Sequence, residues 1–313
     1  MPTLKEIKGR IASVRNTLKI TSAMKLVSSA KLRKAQKAIE NMRPYEEQLQ
    51  AILTSLQGST STKKAENVRV SGENGLASTK KAENVRVGER PCAIVAIASN
   101  SSLCGGFNAA AVAKVREVRR EGDVVYSVGR KMADAMRRDG FPSPEDRNAL
   151  VEHPAFALAA DLVETLSKQW EEGEIAQVLL VYNHFVSTAR QVPVVEVLLP
   201  ETPDQVGGDN VSVGNDNVSV MPGPDRASGS DLIVEPSRKE LLKLLLPKTR
   251  KLKLYAALLD SVAAEHAART VAMQTATDNG ENLLQELTLQ YNKGRQQKIT
   301  SEILDLAGGQ AAE

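Results

Sequence analysis

The chain has 313 residues, of which 42% are hydrophobic, enough to bury a core as one large domain or two small ones. Only 3% are aromatic, with a single Trp, while Ala, Leu, Lys, Glu and Gln abound, the usage of a protein dominated by long helices. A formal net charge of +3 is too small to imply a partner by itself, and the two cysteines, Cys92 and Cys104, have neither the CxxC spacing of a redox motif nor the number a zinc site needs, so both read as small buried residues. His153, His184 and His266 are widely scattered, and no metal site or cofactor is expected. The N-terminus lacks an apolar signal core and no run approaches the ~20 apolar residues that span a bilayer, which places the chain in a reducing cytosol, set against a membrane complex.

Leu4, Ile7, Ile11, Val14 and Leu18 recur at steps of three and four, the seam of an amphipathic helix packing on another helix. Ile20, Ala23, Met24, Val27 and Ala30 carry the stripe around the helix, and Leu32, Ala35, Ile39, Met42, Leu49 and Leu53 continue it, with Pro44 a place for a kink. One helix over residues 3–55 measures about 80 Å at 1.5 Å per residue, so it projects from any globular body. Residues 1–50 hold eleven Lys or Arg against four Glu and no Asp, a basic helix that suits an acidic partner, nucleic acid or a membrane surface, or is a solvated face.

Residues 57–90 read as an insertion in which STKKAENVRV occurs at 61–70 and again at 78–87. From Ala93 the periodicity changes. Ala93 to Ser99 is a short apolar run, followed by the turn Cys104, Gly105, Gly106 and a helix from about Asn108 to Arg120. Val124 to Val128 is a second strand, Lys131 to Arg138 and Ala155 to Gln169 are helices, and Ala176 to Asn183 and Val192 to Leu199 are further strands. Alternating strands and helices predict a small sheet with helices packed on it, over 91–235, with a loop insertion at 201–230 that carries DNVSV at 209–213 and 216–220. The segment 236–313 closes the chain as a second long helix, with a seam from about Leu252 to Leu306 through Leu283, Leu287, Tyr291, Ile299 and Ile303. Two long amphipathic helices each need a partner, and winding around each other as an antiparallel coiled coil satisfies both. Gly280 and Gly294 inside the second helix each cost roughly 1 kcal/mol against Ala, a cost that close packing on a partner offsets.

The loop Ser99-Asn100-Ser101-Ser102-Leu103-Cys104-Gly105-Gly106 stands where an α/β protein could cradle a phosphate, but it lacks GxGxxG spacing and the Walker Gly-Lys-Ser/Thr, so a structural tight turn is the default. No Ser, His and carboxylate arrangement argues for hydrolysis. The sequons at Asn210 and Asn217 are chance matches in a chain with no sign of secretion. What stands out is polarity in the seam: Thr21, Lys25 and Ser28 on the first helix, and Arg295, Gln296, Lys298, Thr300 and Glu302 on the second. These are either exposed faces or polar, exchangeable contacts to a partner that encloses the coiled coil.

The opening run Leu4-Lys5-Glu6-Ile7-Lys8-Gly9-Arg10-Ile11, followed by Lys19 to Val27 (KITSAMKLV), resembles the opening signature of the ATP synthase gamma subunit family. The closing signature of that family is similar to Glu265-His266-Ala267-Ala268-Arg269, Met273, Ala276 to Gly280 (ATDNG), Tyr291 to Gln296 (YNKGRQ) and Ile299 to Ile303 (ITSEI). Leu103-Cys104-Gly105-Gly106-Phe107-Asn108 adds weaker support. The chain departs from the family where Ser99-Asn100-Ser101-Ser102 replaces Ser-Asp-Arg-Gly, losing that Asp and Arg, and in its repeats. It also lacks the dithiol insert of plant-type subunits.

The resemblance implies a central-stalk protein of mixed α/β class: a long antiparallel coiled coil of the N-terminal helix (1–56) and the C-terminal helix, plus a small Rossmann-like α/β domain. It implies a non-catalytic rotor whose coiled coil turns inside an alpha3beta3 hexamer, with the body bound to an epsilon subunit and the membrane c-ring. Nucleic acid and a small-molecule substrate are not expected. Met24 and Lys25 match the position that slides past acidic loops of beta, and Arg269, Gln296, Thr300 and Glu302 match polar contacts on the other helix. Because the signature begins at residue 4, no organelle transit peptide is expected before it, and the implied setting is the cytoplasmic face of a bacterial plasma membrane.

Overall fold

The computed structural model describes residues 3–57, 91–145, 147–200 and 237–309. Both expected insertions and their repeats, at 61–87 and 209–220, lie outside the described residues.

Helix α1 runs over Leu4–Gln57, 54 residues or about 80 Å. It starts in a capping box: Glu6 N donates to Thr3 Oγ1 at 3.3 Å while Thr3 N donates to Glu6 Oε2 at 3.0 Å. The helix continues through Pro44.

Strand β1 (Cys92–Ile97), helix α2 (Phe107–Val118), strand β2 (Val124–Val128), helices α3 (Arg130–Arg138), α4 (Ala149–Glu152) and α5 (Phe156–Glu171), and strands β3 (Gln177–Phe185) and β4 (Gln191–Leu199) build the body. Each lies within two residues of its expected bounds, apart from the short α4, which had no counterpart in the expected elements. The sheet order is β2-β1-β3-β4, with β1 parallel to β2 and β3, and β4 antiparallel to β3. Every residue of β1 is buried, because the sheet is covered on both faces and its central strand alternates between two cores. Ala93, Val95 and Ile97 join Val178, Leu180, α5 and the last helix on one face. Ile94 and Ala96 join Leu179, Val181, α2 and α3 on the other. Gly129, at φ 107°, turns β2 into α3 where a Cβ would collide with the carbonyl oxygen of Ala98, so only glycine fits.

Helix α6 spans Arg238–Gly309, 72 residues or about 110 Å. Ser237 caps it, its Oγ accepting from Glu240 N at 3.3 Å. It begins well before the seam recognised at Leu252, and Pro247 lies inside it. Leu254, Ala257 and Leu258 bury against the sheet. A turn later Ala263 and Ala267 pack on Leu32 and Ala35 of α1.

Candidate partner-contact site

The pairing of α1 and α6 is antiparallel, as expected: Leu32 and Ala35 meet Ala263 and Ala267, Thr21 meets Thr277, Leu18 lies over Gly280, and Leu4 over Gly294. A Cβ on Gly280 would sit 2.7 Å from Leu18 Cδ2, and one on Gly294 3.2 Å from Leu4 Cδ2. Both glycines therefore give α1 room to approach.

Polarity in the seam is partly used inside the pair. The Thr21 and Thr277 hydroxyls meet at 2.9 Å across it, and Ser28 is buried. Met24 and Lys25 are half-buried on α1.

Because Leu4 sits at Gly294, residues 295–309 continue, among the described residues, as a lone helix about 22 Å past the start of α1. Gln296, Thr300 and Glu302 are all exposed on this free end. Thr300 Oγ1 donates to the Gln296 carbonyl at 2.9 Å, and Glu302 faces Lys298 at 3.7 Å, so neither is firmly committed. Ile303 and Leu304, 59% and 64% exposed, make the same tip apolar between its polar groups. Along α6, Thr277 and Gln296 are roughly 30 Å apart, so the expected contact residues fall into two separate patches, one by Met24 and Lys25 and one at the tip.

Arg269, the remaining expected contact residue, lies apart from both patches. It is 8% exposed, and its guanidinium is held within the chain: Nη1 lies 2.7 Å from Glu265 Oε1, and Nη2 donates to Ser101 Oγ at 2.7 Å. Burial pushes the Glu265 carboxyl up, against the pull of Arg269 and of Lys31 on α1. Burial, then Arg269 and Lys31, bring His266 down to about 4. The spacing of Glu265 and Arg269, one helical turn apart, was available in the sequence as a pairing signal. Ser101, 168 positions away, was not.

The loop 99–106 leaves β1 at the carboxyl edge of the sheet, beside the place where β2 and β3 diverge on either side of β1. Open α/β sheets hold ligands in that crevice. Here α6 fills it. Cys104 and Phe107 pack on Ala264, and a Cβ on Gly105 would lie 3.8 Å from that of Ala272. Asn108 knits the loop, its Oδ1 accepting from Ser99 N at 3.0 Å and its Nδ2 donating to Cys104 Sγ at 3.1 Å. A second polar tie lies one turn back, where Asp260 Oδ2 meets His184 Nδ1 at 2.6 Å and Oδ1 accepts from Phe185 N at 3.1 Å. The loop is a seat for a helix, in keeping with a structural turn.

A family model described as ATP synthase matches residues 3–312. The chain is 44% identical to the ATP synthase gamma chain of Phocaeicola vulgatus, over 100% of both chains. It is 42% identical to that of Bacteroides thetaiotaomicron, over 99% of each. Among solved structures, it is similar to a chain of the Euglena gracilis mitochondrial ATP synthase (OSCP/F1/c-ring, rotational state 3), with a TM-score of 0.62 at 19% identity over 99% of this chain and 94% of that one. A chain from the rotor of the same synthase in rotational state 1 gives a TM-score of 0.60 at 18% identity, over 95% and 98%.

Proposed function

Because the chain belongs to the ATP synthase gamma-chain family, we propose that its helix pair is the shaft of the central stalk, turning inside a hexamer of alternating alpha and beta subunits. The body is then the foot, bound to an epsilon subunit and to the c-ring of the membrane sector. The observation that carries this reading is the continuity of α6, which passes without a break from the sheet core at Leu254 to the lone tip beyond Gly294. Rotation of the body must turn the tip.

On this reading the chain performs no chemistry of its own and acts by differential contact. As it turns, its asymmetric surface presents different residues to each beta subunit, and that difference shifts the nucleotide affinity of each site. The basic surplus of α1 suits acidic partner loops. Exposed contacts at Gln296, Thr300 and Glu302, with half-buried Met24 and Lys25, suit a bearing, because screened surface pairs are weak and break easily. Proton flow through the ring drives the turn. We place the protein peripherally on the cytoplasmic face of a bacterial plasma membrane; no helix of the described residues is long and apolar enough to cross a bilayer.

The test is coexpression with alpha and beta subunits from the same genome. A purified complex with ATPase activity, in which a bead fixed to the body rotates on adding ATP, is expected. Hydrolysis-competent hexamers that exclude this chain would refute the reading.

A further inference from the structure

Glu265 and Arg269 are the only charged side chains among the buried described residues. Their position in the fold is specific. Before them, α6 is tied to the body by the apolar contacts of Leu254, Ala257 and Leu258 and by Asp260. After Ala272, which faces Gly105, α6 runs on against α1. The pair therefore lies within a turn of the last place where the body touches α6. Three parts of the chain meet there: Lys31 of α1 acts on both Glu265 and His266, Glu265 and Arg269 belong to α6, and Ser101 and Ser102 belong to the loop at the carboxyl edge of β1.

A buried ion pair is a poor stabiliser, since apolar residues of like volume often serve as well or better, and its attested use is to fix one geometry among several. Asp260 fixes α6 against β3 one turn back, and between that tie and the loop at the carboxyl edge of β1 the contacts are apolar. Ala263, Ala264 and Ala267 offer small, smooth surfaces, on which a helix can rotate or slide with little change in buried area. The bonds from Arg269 are directional. Nη1 takes Glu265 one turn back while Nη2 takes Ser101 Oγ at 2.7 Å and the Ser102 carbonyl at 3.5 Å. A turn of α6 about its own axis breaks the bonds to the loop, and the planar fork has no second arrangement that restores them.

We propose that the Glu265–Arg269–Ser101 clasp sets the rotational phase of the helix pair relative to the body, and so carries torque across the neck. The clasp rests on the rotor reading and names its positioning residues. Ser101 supplies to Arg269 a neutral acceptor, so the grip on the loop is made by a hydrogen bond and not by a second charge.

The experiment uses the complete synthase carrying this chain, reconstituted in vesicles, with ATP hydrolysis and ATP-driven proton uptake measured together. Ser101→Ala removes the 2.7 Å bond to the loop and leaves the ion pair and the longer contact to the Ser102 carbonyl in place. The double variant Glu265→Leu/Arg269→Met keeps volume and removes the clasp. Both are expected to hydrolyse ATP at near wild-type rates, with protons moved per ATP falling by roughly half. Amides of residues 101–106 should exchange about tenfold faster in the complex, the factor for losing one charge-assisted hydrogen bond. Unchanged protons per ATP in both variants overturns the clasp. A fall that merely tracks loss of the subunit from the membrane overturns it too, since that marks a structural role only. Failure of the wild-type chain to enter any complex removes the rotor reading itself, a result separate from either.

Discussion

Gly280→Ala tests the close approach of the two long helices. The substitution gains about 1 kcal/mol of helix propensity. Against that, its Cβ would lie 2.7 Å from Leu18 Cδ2 and 3.3 Å from Cγ. Leu18 is half-buried and flexible, so it swings aside, at about 0.5–1.5 kcal/mol for leaving its rotamer. The two effects nearly cancel, and Gly280→Ala alone should leave stability within about 0.5 kcal/mol of wild type, the residual of those two magnitudes. In a Leu18→Ala background the obstacle is gone and the same change should stabilise by about 1 kcal/mol. The coupling energy of the double-mutant cycle is then about 1 kcal/mol, read from urea midpoints followed by helical circular dichroism. Equal gains in both backgrounds would refute the close-packing argument and return Gly280 to an unexplained cost. Gly294→Ala is the internal control: its Cβ meets only the end of Leu4 at 3.2 Å, at the start of α1, so it should stabilise outright by about 0.5–1 kcal/mol.

Further outcomes follow from the body and the neck. His266 is held at about 4 in the folded chain, against about 6.5 in the unfolded one, so its contribution is complete above about pH 6.5 and is lost as pH falls toward 4. Discounted for its partial exposure, that loss is about 2 kcal/mol, and His266→Gln should flatten the fall in denaturation midpoint over this window. Glu265, raised by burial, works with the opposite sign, its stability fading as pH rises through its folded value, and it is common to both proteins compared. Asp260→Ala removes the hydrogen bonds to His184 Nδ1 and to the Phe185 amide together and should cost about 2 kcal/mol by urea denaturation. Gly129→Ala meets both a left-handed φ and the Ala98 carbonyl, and should cost at least about 3 kcal/mol, seen as a collapse of soluble yield.

Much of this architecture was legible from periodicity. The seam from Leu4 to Leu18 and the apolar runs at Ala93 and Ala176 announce their elements because each obeys one period over enough residues to outweigh local noise. The segment from 236 reads as part of the second helix, but its apolar seam is traceable only from Leu252; the first turns run from Arg238 through Pro247, whose lost hydrogen bond is outweighed by packing that the local sequence does not display. Polar seam residues were ambiguous for a related reason. Thr21 is satisfied by Thr277, 256 positions away, Arg269 by Ser101, while Arg295, Gln296, Lys298, Thr300 and Glu302 are left facing outward. Which polar group turns inward depends on what the fold brings opposite it, and one-dimensional spacing carries no such information.

The unequal lengths of α1 and α6 have a mechanical consequence. Two helices bonded side by side resist bending as a composite beam, whereas the last about 22 Å of α6 bends as a single rod. Compliance is thus graded along the molecule, stiff from the sheet to Gly294 and soft beyond it. A shaft with a soft end tolerates a socket that is not quite coaxial with its foot, because the tip flexes to follow the socket while the paired region stays straight.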